Sequence, residues 1–303
     1  MGKWKTAILV IIIIWVISFL ISNFFKGFST SKIGNRIAVI QIYGPITLSQ
    51  DNGFFELNSA SANNILDALK KANEDPTIKG IILEINSPGG TVVASEEIAN
   101  AVKKTKKPKV AWIREEGASG AYWIASSTDK IVADPLSVTG SIGVIGSYLE
   151  FAGLMEKYGL KYEQLTSGKY KDTGSPFKTL SDDEKTFLQN KINKIHDFFI
   201  DQVSKNRNIP RHKIEEIANG AFYLGIEAKD LGLIDILGGK DEAIGEVKKL
   251  ANIKDAYLVT YQRKPSFLDF FSRIIAYSSF YVGQGFSYGT NDLINNNNID
   301  FKT

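Results

Sequence analysis

The chain has 303 residues, 23% of them charged, with a net charge of +3 and no cysteine. So small a net charge, spread over mixed lysine and glutamate faces, gives no footing for nucleic-acid binding. The absence of cysteine removes disulfides, thiol catalysis and cysteine-based zinc sites together. His196 and His212 stand outside any HExxH pattern, so neither a metal nor a cofactor is expected.

Residues 7–25 are almost wholly apolar. At about 1.5 Å per residue they reach about 28 Å, close to the hydrocarbon thickness of a bilayer, and read as a transmembrane anchor. Lys3 and Lys5 precede the stretch while Lys26 alone follows closely. The positive-inside tendency then leaves residues 1–6 in the cytoplasm and the remainder outside the cell (inner) membrane. A cleaved signal peptide would need small residues just beyond the apolar run, where Phe24, Phe25 and Lys26 stand. Residues 26–35 read as a linker, 36–262 as the folded domain, and 263–303 as a tail, amphipathic and then asparagine-rich.

Within the domain, strands and helices alternate. Strands are expected at 36–42, 80–85, 109–113 and 131–133, with helices after Ser59 or Ser61, over 93–104 and over 121–126. A turn at Ser141, a helix over 148–158 and a strand over 162–166 follow. Ser181 to Glu184 form a capping box for a long helix to about Asn206, then come helices at 211–219 and 242–251 around a strand at 233–236. This order predicts an α/β fold with a parallel sheet.

The chemistry concentrates at four places. Asn86-Ser87-Pro88-Gly89-Gly90 follows a buried strand, where backbone N–H groups can face a site. Ser119-Gly120-Ala121-Tyr122 opens a helix, a usual place for a capping serine, and Ser119 is held as the reserve nucleophile. Ser141 has glycines at 140, 143 and 146, so the turn can approach a substrate closely; it is the expected nucleophile, with the N–H groups of Gly90 and Ile142 as its oxyanion hole. A hydroxyl needs a base, and with histidine scarce lysine is the candidate. A lysine base must be neutral and hence buried in apolar surroundings, which Tyr170, Pro176 and Phe177 could supply; spacing alone leaves Lys169 and Lys171 both open.

These motifs, with Leu136 to Gly143 and Ser167-Gly168-Lys169-Tyr170-Lys171-Asp172, resemble the signal peptide peptidase A family, bacterial membrane-bound serine-lysine peptidases. The resemblance covers about residues 36–262. It implies a Clp/crotonase-like fold of repeated β-β-α units, Ser141 as nucleophile and Lys171 as the base of the Ser-Gly-x-x-Lys-Asp motif, with Gly89, Ser119, Gly120 and Ser167 supporting the site. It further implies released signal peptides as substrates and a homo-oligomer, a dome-shaped ring in which serine and lysine come from adjacent subunits. Ala121 departs from a second glycine common in relatives, which is expected to change packing and not mechanism. Two other readings stand beside it. A histidine triad suffers because Asp197 is adjacent to His196 in a helix and so faces elsewhere; a non-catalytic crotonase-like scaffold would be favoured by a missing Ser141 or Lys171, and both are present.

Overall fold

The computed structural model describes Trp4, Ile8 and residues 10–19, 34–49 and 59–261. Residues 10–19 are helical (α1), and their apolar side chains, Trp15 and Phe19 among them, are exposed. Among the described residues no helix is long and apolar enough to cross a membrane. The expected span over 7–25 runs beyond the described part of α1, and the tail from 263 lies outside the described residues.

The domain is built on a parallel sheet in the order β10-β1-β4-β5-β6-β9. Its central strands are β1 (Arg36–Tyr43), β4 (Ile78–Ser87), β5 (Lys109–Ala118) and β6 (Lys130–Ala133), with β9 (Ile236–Leu237) and β10 (Tyr257–Thr260) at the edges. Two short strands, β2 (Ile46–Thr47) and β3 (Ala60–Ser61), pair apart from it. Strand β4 is apolar almost throughout because both of its faces are covered. Ile81, Leu83 and Ile85 point into the larger core, with α2 (Ala62–Glu74), α3 (Val92–Lys104) and α4 (Gly120–Ser126) above them. Ile82 points to the opposite face, into a smaller core with Val247 of α9 (Lys240–Leu250).

The expected strands and helices recur, with instructive differences. Strand β5 runs five residues past its expected end through Arg114, Glu115 and Glu116. Those charges hide it from a reading based on apolar runs, yet its end pairs with β7 (Val138–Gly140) after β6 has stopped. The helix expected over 148–158 shrinks to α5 (Ala152–Lys157). Residues 162–166 form no strand: they are exposed and have no strand partner among the described residues. The strand expected at 233–236 begins only at Ile236.

The long helix α6 (Asp182–Arg207) starts at the expected capping box, where Ser181 Oγ accepts from the Glu184 N–H and the Glu184 carboxylate accepts from the Ser181 N–H. Its far end is fastened by Arg207, which donates to Asp235 Oδ2 at 2.9 Å and to the Gly232 carbonyl at 3.0 Å. Burial works against ionisation of Asp235, but Arg207 outweighs it and holds the carboxyl below its ordinary range. Beyond it lie α7 (Arg211–Ile217), β8 (Phe222–Leu224), which pairs antiparallel with β7, and α8 (Gly225–Asp230).

Tyr122 of α4 is fully buried and donates its hydroxyl to the Leu233 carbonyl at 2.8 Å, a single bond joining α4 to the segment that fastens α6. Tyr122→Phe strands that carbonyl without a donor and should cost about 1–3 kcal/mol. A thermal melt of the variant is expected to show a lower midpoint; an unchanged midpoint would contradict this role.

Candidate active site

Because β4, β5 and β7 run parallel, the segments that follow them emerge at one end of the sheet. The register pairs Ala118 with Gly140, so Ser119 and Ser141 are the next residues on adjacent strands. The Ser119 N–H donates to the Gly140 carbonyl at 2.9 Å and the Ser141 N–H to the Ala221 carbonyl at 2.8 Å. Two serines far apart in the chain thus stand side by side at the rim of one cleft of about 520 Å³.

Their environments differ. Ser119 occupies the sharp junction between β5 and α4 with φ 52° and ψ −123°, a conformation costly for a residue with a side chain. A serine on such a strained strand-to-helix turn has its Oγ presented outward. Ser119 stands where a capping residue would, yet its side chain makes no capping hydrogen bond. Ser141 also has positive φ, 49°, but its Oγ donates weakly to the Gly220 carbonyl at 3.4 Å.

The Pro88–Gly90 turn is built against Ser119. Ser87 Oγ accepts from the Gly89 N–H at 3.1 Å, and Asn86 Oδ1 accepts from the Glu116 N–H at 3.1 Å, tying the turn to β5. Gly89 has φ 101°, and a Cβ there would lie 2.9 Å from the Ser119 Cβ, so only glycine lets the two segments meet. At Gly90 a Cβ would collide with the Ile46 backbone. Ile46 uses its N–H on the Gly89 carbonyl and its carbonyl on the Thr91 N–H. The Gly90 N–H therefore has no hydrogen-bond partner among the described residues, and it lies close to Gly120, whose N–H is one of the unpaired donors at the start of α4.

Of the residues expected at the site, the cleft brings together Gly90, Ser119, Gly120 and Ser141, with Gly89 just behind. Ile142 is fully buried in the larger core and does not line the cleft. Ser167 and Lys171 lie on an exposed arm between β7 and α6, away from the cleft wall. The apolar surroundings expected for Lys171 are committed elsewhere: Tyr170 stacks on Phe187 at 4.5 Å and Phe177 packs on Tyr162 at 5.0 Å.

The arm distinguishes the two lysines. Lys169 is paired with Asp183 at 2.8 Å and lies over the Tyr170 ring; the hydrogen bond to Asp183, then that to Tyr170, pushes its pKa up. Lys171 has no ion-pair partner among the described residues. Its neighbour Asp172 meets Lys178 at 2.7 Å, and Lys178 meets Glu184 at 2.8 Å, so a chain of charges anchors the Lys171 turn to the capping box of α6.

Sequence reasoning missed the opposite wall. Gln189, Ile192, Ile195, His196 and Phe199 recur along one face of α6 and line the cleft opposite Ser119, with Trp123 stacked on Phe199 at 5.0 Å. Their three- and four-residue spacing was the available signal.

The cleft has known counterparts. Residues 101–254 match the model of peptidase family S49, and residues 34–165 match that of ClpP-like SDH-type serine proteinases. A putative protease of Methanocaldococcus jannaschii is 33% identical over 265 residues, 86% of this chain and 83% of that one. The chain belongs to peptidase family S49. Other relatives include a putative signal peptide peptidase SppA of Enterococcus faecium, 36% identical over 75% of this chain and 67% of the relative, and Protease 4 of Haemophilus influenzae, 32% identical over 73% of this chain but 36% of the relative. Among solved structures, the 1510-N membrane-bound stomatin-specific protease superposes with a TM-score of 0.52, covering 81% of this chain and 98% of that one, in a complex with a substrate peptide. At 17% identity this establishes a shared α/β fold, which the matched family model describes as ClpP-like. As an S49 peptidase the chain is a hydrolase of the serine-protease class.

The charge chain behind Lys171 makes a pH prediction. The Lys178 ammonium first, and then the Ser181 N–H, lower the Glu184 carboxyl from 4.5 to about 2. A carboxyl depressed by folding adds stability that is fully present above its unfolded value, here 4.5, and is lost as pH falls toward about 2. Melting curves between pH 5 and 2 should therefore fall more steeply for the wild type than for Glu184→Gln; parallel curves would contradict the anchoring.

Proposed function

We propose that this S49 peptidase is a membrane-anchored endopeptidase that degrades signal peptides after their release from secreted precursors, with Ser119 as nucleophile and Lys171 of a neighbouring subunit as general base. One observation carries the assignment: Ser119 combines a strained strand-to-helix turn, an uncapped hydroxyl and the free N–H groups of Gly90 and Gly120 beside it. This reading replaces Ser141 with Ser119 and Ile142 with Gly120. Buried Ile142 is poorly suited to meet a substrate.

In this mechanism Ser119 Oγ attacks the scissile carbonyl carbon while its proton passes to neutral Lys171 Nζ. The Gly90 and Gly120 N–H groups donate to the tetrahedral oxyanion. Lys171 returns the proton to the leaving amine, and a water that it then activates releases the acyl group from Ser119. The Ser141 hydroxyl, one strand away, orients the lysine.

A neighbouring subunit enters because a single chain leaves Lys171 exposed and outside the cleft. The arm that carries it also exposes large apolar side chains, with Ile145 94% and Leu149 72% accessible, beside the unpaired segment 162–166. Covering these residues in a ring would desolvate the lysine and give the arm its missing contacts. The extracytoplasmic, inner-membrane location rests on the apolar stretch 7–25 and its flanking lysines; the exposed apolar surface of α1 supports it. The names of the relatives support a membrane setting and signal-peptide substrates.

On a signal-peptide substrate, Ser119→Ala and Lys171→Ala should each lose about 10⁴-fold or more in kcat, and Ser141→Ala about 10- to 100-fold. Mixing the Ser119→Ala and Lys171→Ala proteins should restore activity, since some interfaces then pair an intact serine with an intact lysine. Full activity of Ser119→Ala would sink the assignment. Mixed rings that form yet stay at background would sink the shared site.

A further inference from the structure

The strands of the parallel sheet all begin at the end opposite the cleft. Arg36 of β1 pairs with Ile78 of β4, and the starts of β5 at Lys109 and of β6 at Lys130 lie beside them. The helices return to the same end: α3 finishes in Lys103 and Lys104, α6 in Lys205 and Arg207, and Lys103 Nζ donates to Gln202 of α6 at 2.7 Å. Residues 103–109 alone carry five lysines and no acid. Helix C-termini favour cations, which gives Lys103, Lys104 and Lys205 a local reason to be there. Lys79 and Lys106 lie outside the helices, and like Lys104 and Lys205 they are exposed with no ion-pair partner among the described residues. The ammonium groups are crowded: burial and then repulsion from Lys205 lower the Lys103 pKa, and burial, with Lys79 adding repulsion against the attraction of Asp75, lowers that of Lys107. The acids of this end are mostly committed, Asp75 to Thr77 and Arg36, Asp129 to Lys109, and Asp235 to Arg207 and Lys130, which leaves Glu74 and Asp255 against the lysines.

The chain enters the domain at this same end. Arg36 joins the sheet between β4 and β10, and the ten residues 26–35 that separate β1 from the apolar stretch can span at most about 35 Å. We propose that this lysine-rich end docks on the anionic phospholipid headgroups of the bilayer that holds the anchor, and that the contact orients the domain. Lysine ammonium groups and headgroup phosphates are complementary in charge, and each lysine held near such a surface adds to the attraction. With this end down, the ten residues of β4 hold the cleft about 30 Å above the headgroups, so the cleft takes peptides that have left the bilayer. The inference rests on the membrane anchoring proposed above.

Because the chain has no cysteine, Glu74→Cys, at an exposed position of this end, accepts a single donor fluorophore. The labelled full-length protein is reconstituted into vesicles of phosphatidylcholine alone, or of phosphatidylcholine and phosphatidylglycerol in equal parts, each with an acceptor dye on a trace lipid. Energy transfer should be about twofold more efficient in the anionic vesicles and should return to the neutral-vesicle level in about 1 M salt. With Lys104→Gln, Lys106→Gln and Lys205→Gln combined, transfer should stay at the neutral level in both; the salt arm makes the same test with the lysines intact. Equal transfer in the two kinds of vesicle, the result if a neighbouring subunit or an acidic protein covers this end instead, overturns the inference. So does a lipid dependence that survives salt or the triple substitution. Flotation of the protein with the neutral vesicles reads the anchor separately, and failure to float would overturn the anchoring on which the inference depends.

Discussion

The site depends on the turn that joins β5 to α4. A serine with φ 52° and ψ −123° would relax to a commoner conformation if its surroundings allowed it. They do not: its N–H is held by Gly140, its carbonyl by the Trp123 N–H, and its Cβ is pressed against Gly89. Gly140 belongs to β7 and Gly89 to the turn after β4, while Trp123 lies in α4 itself. The local strain is thus sustained by the whole core, and α4, with Tyr122, Ile124 and Ala125 fully buried, is as firmly embedded as any element.

A second constraint is electrostatic and lies on the arm. The motif Ser-Gly-x-x-Lys-Asp places Lys171 beside Asp172, and Asp172 is the first link of the chain through Lys178 to Glu184. Among the described residues the lysine itself has no ion-pair partner, while its neighbours are held. Lys169, two residues earlier, is already occupied by Asp183. A charged partner on Lys171 would stabilise its ammonium form and oppose its use as a base. The arm therefore combines a rigid anchor with a free amine, and its exposed apolar side chains give a physical reason for a second subunit to lie against it.

Much of this was legible in the residues. The strand-helix alternation, the Pro-Gly-Gly turn and the Ser181 capping box are local patterns, and each appears where periodicity and turn chemistry put it. The features on which the proposed role of Ser119 rests are not local. Glycines around Ser141 advertise a turn, whereas the strain at Ser119 arises from tertiary contacts with Gly89 and from the β5–β7 register, hidden behind Arg114, Glu115 and Glu116. Ala121 is fully buried in the larger core. Residues 162–166 stand where the strand-helix order calls for a strand, but a strand needs an edge to pair with, and one chain offers them none among the described residues.

The central claim, that the strained turn supplies the nucleophile, is open to direct chemical reading. The wild-type protein can be treated with a fluorophosphonate, digested, and the modified residue located by mass spectrometry. Covalent attachment at Ser119, with none in Ser119→Ala and persistence in Ser141→Ala, is the result this account predicts. Attachment at Ser141 in the wild type, retained when Ser119 is replaced, would contradict it.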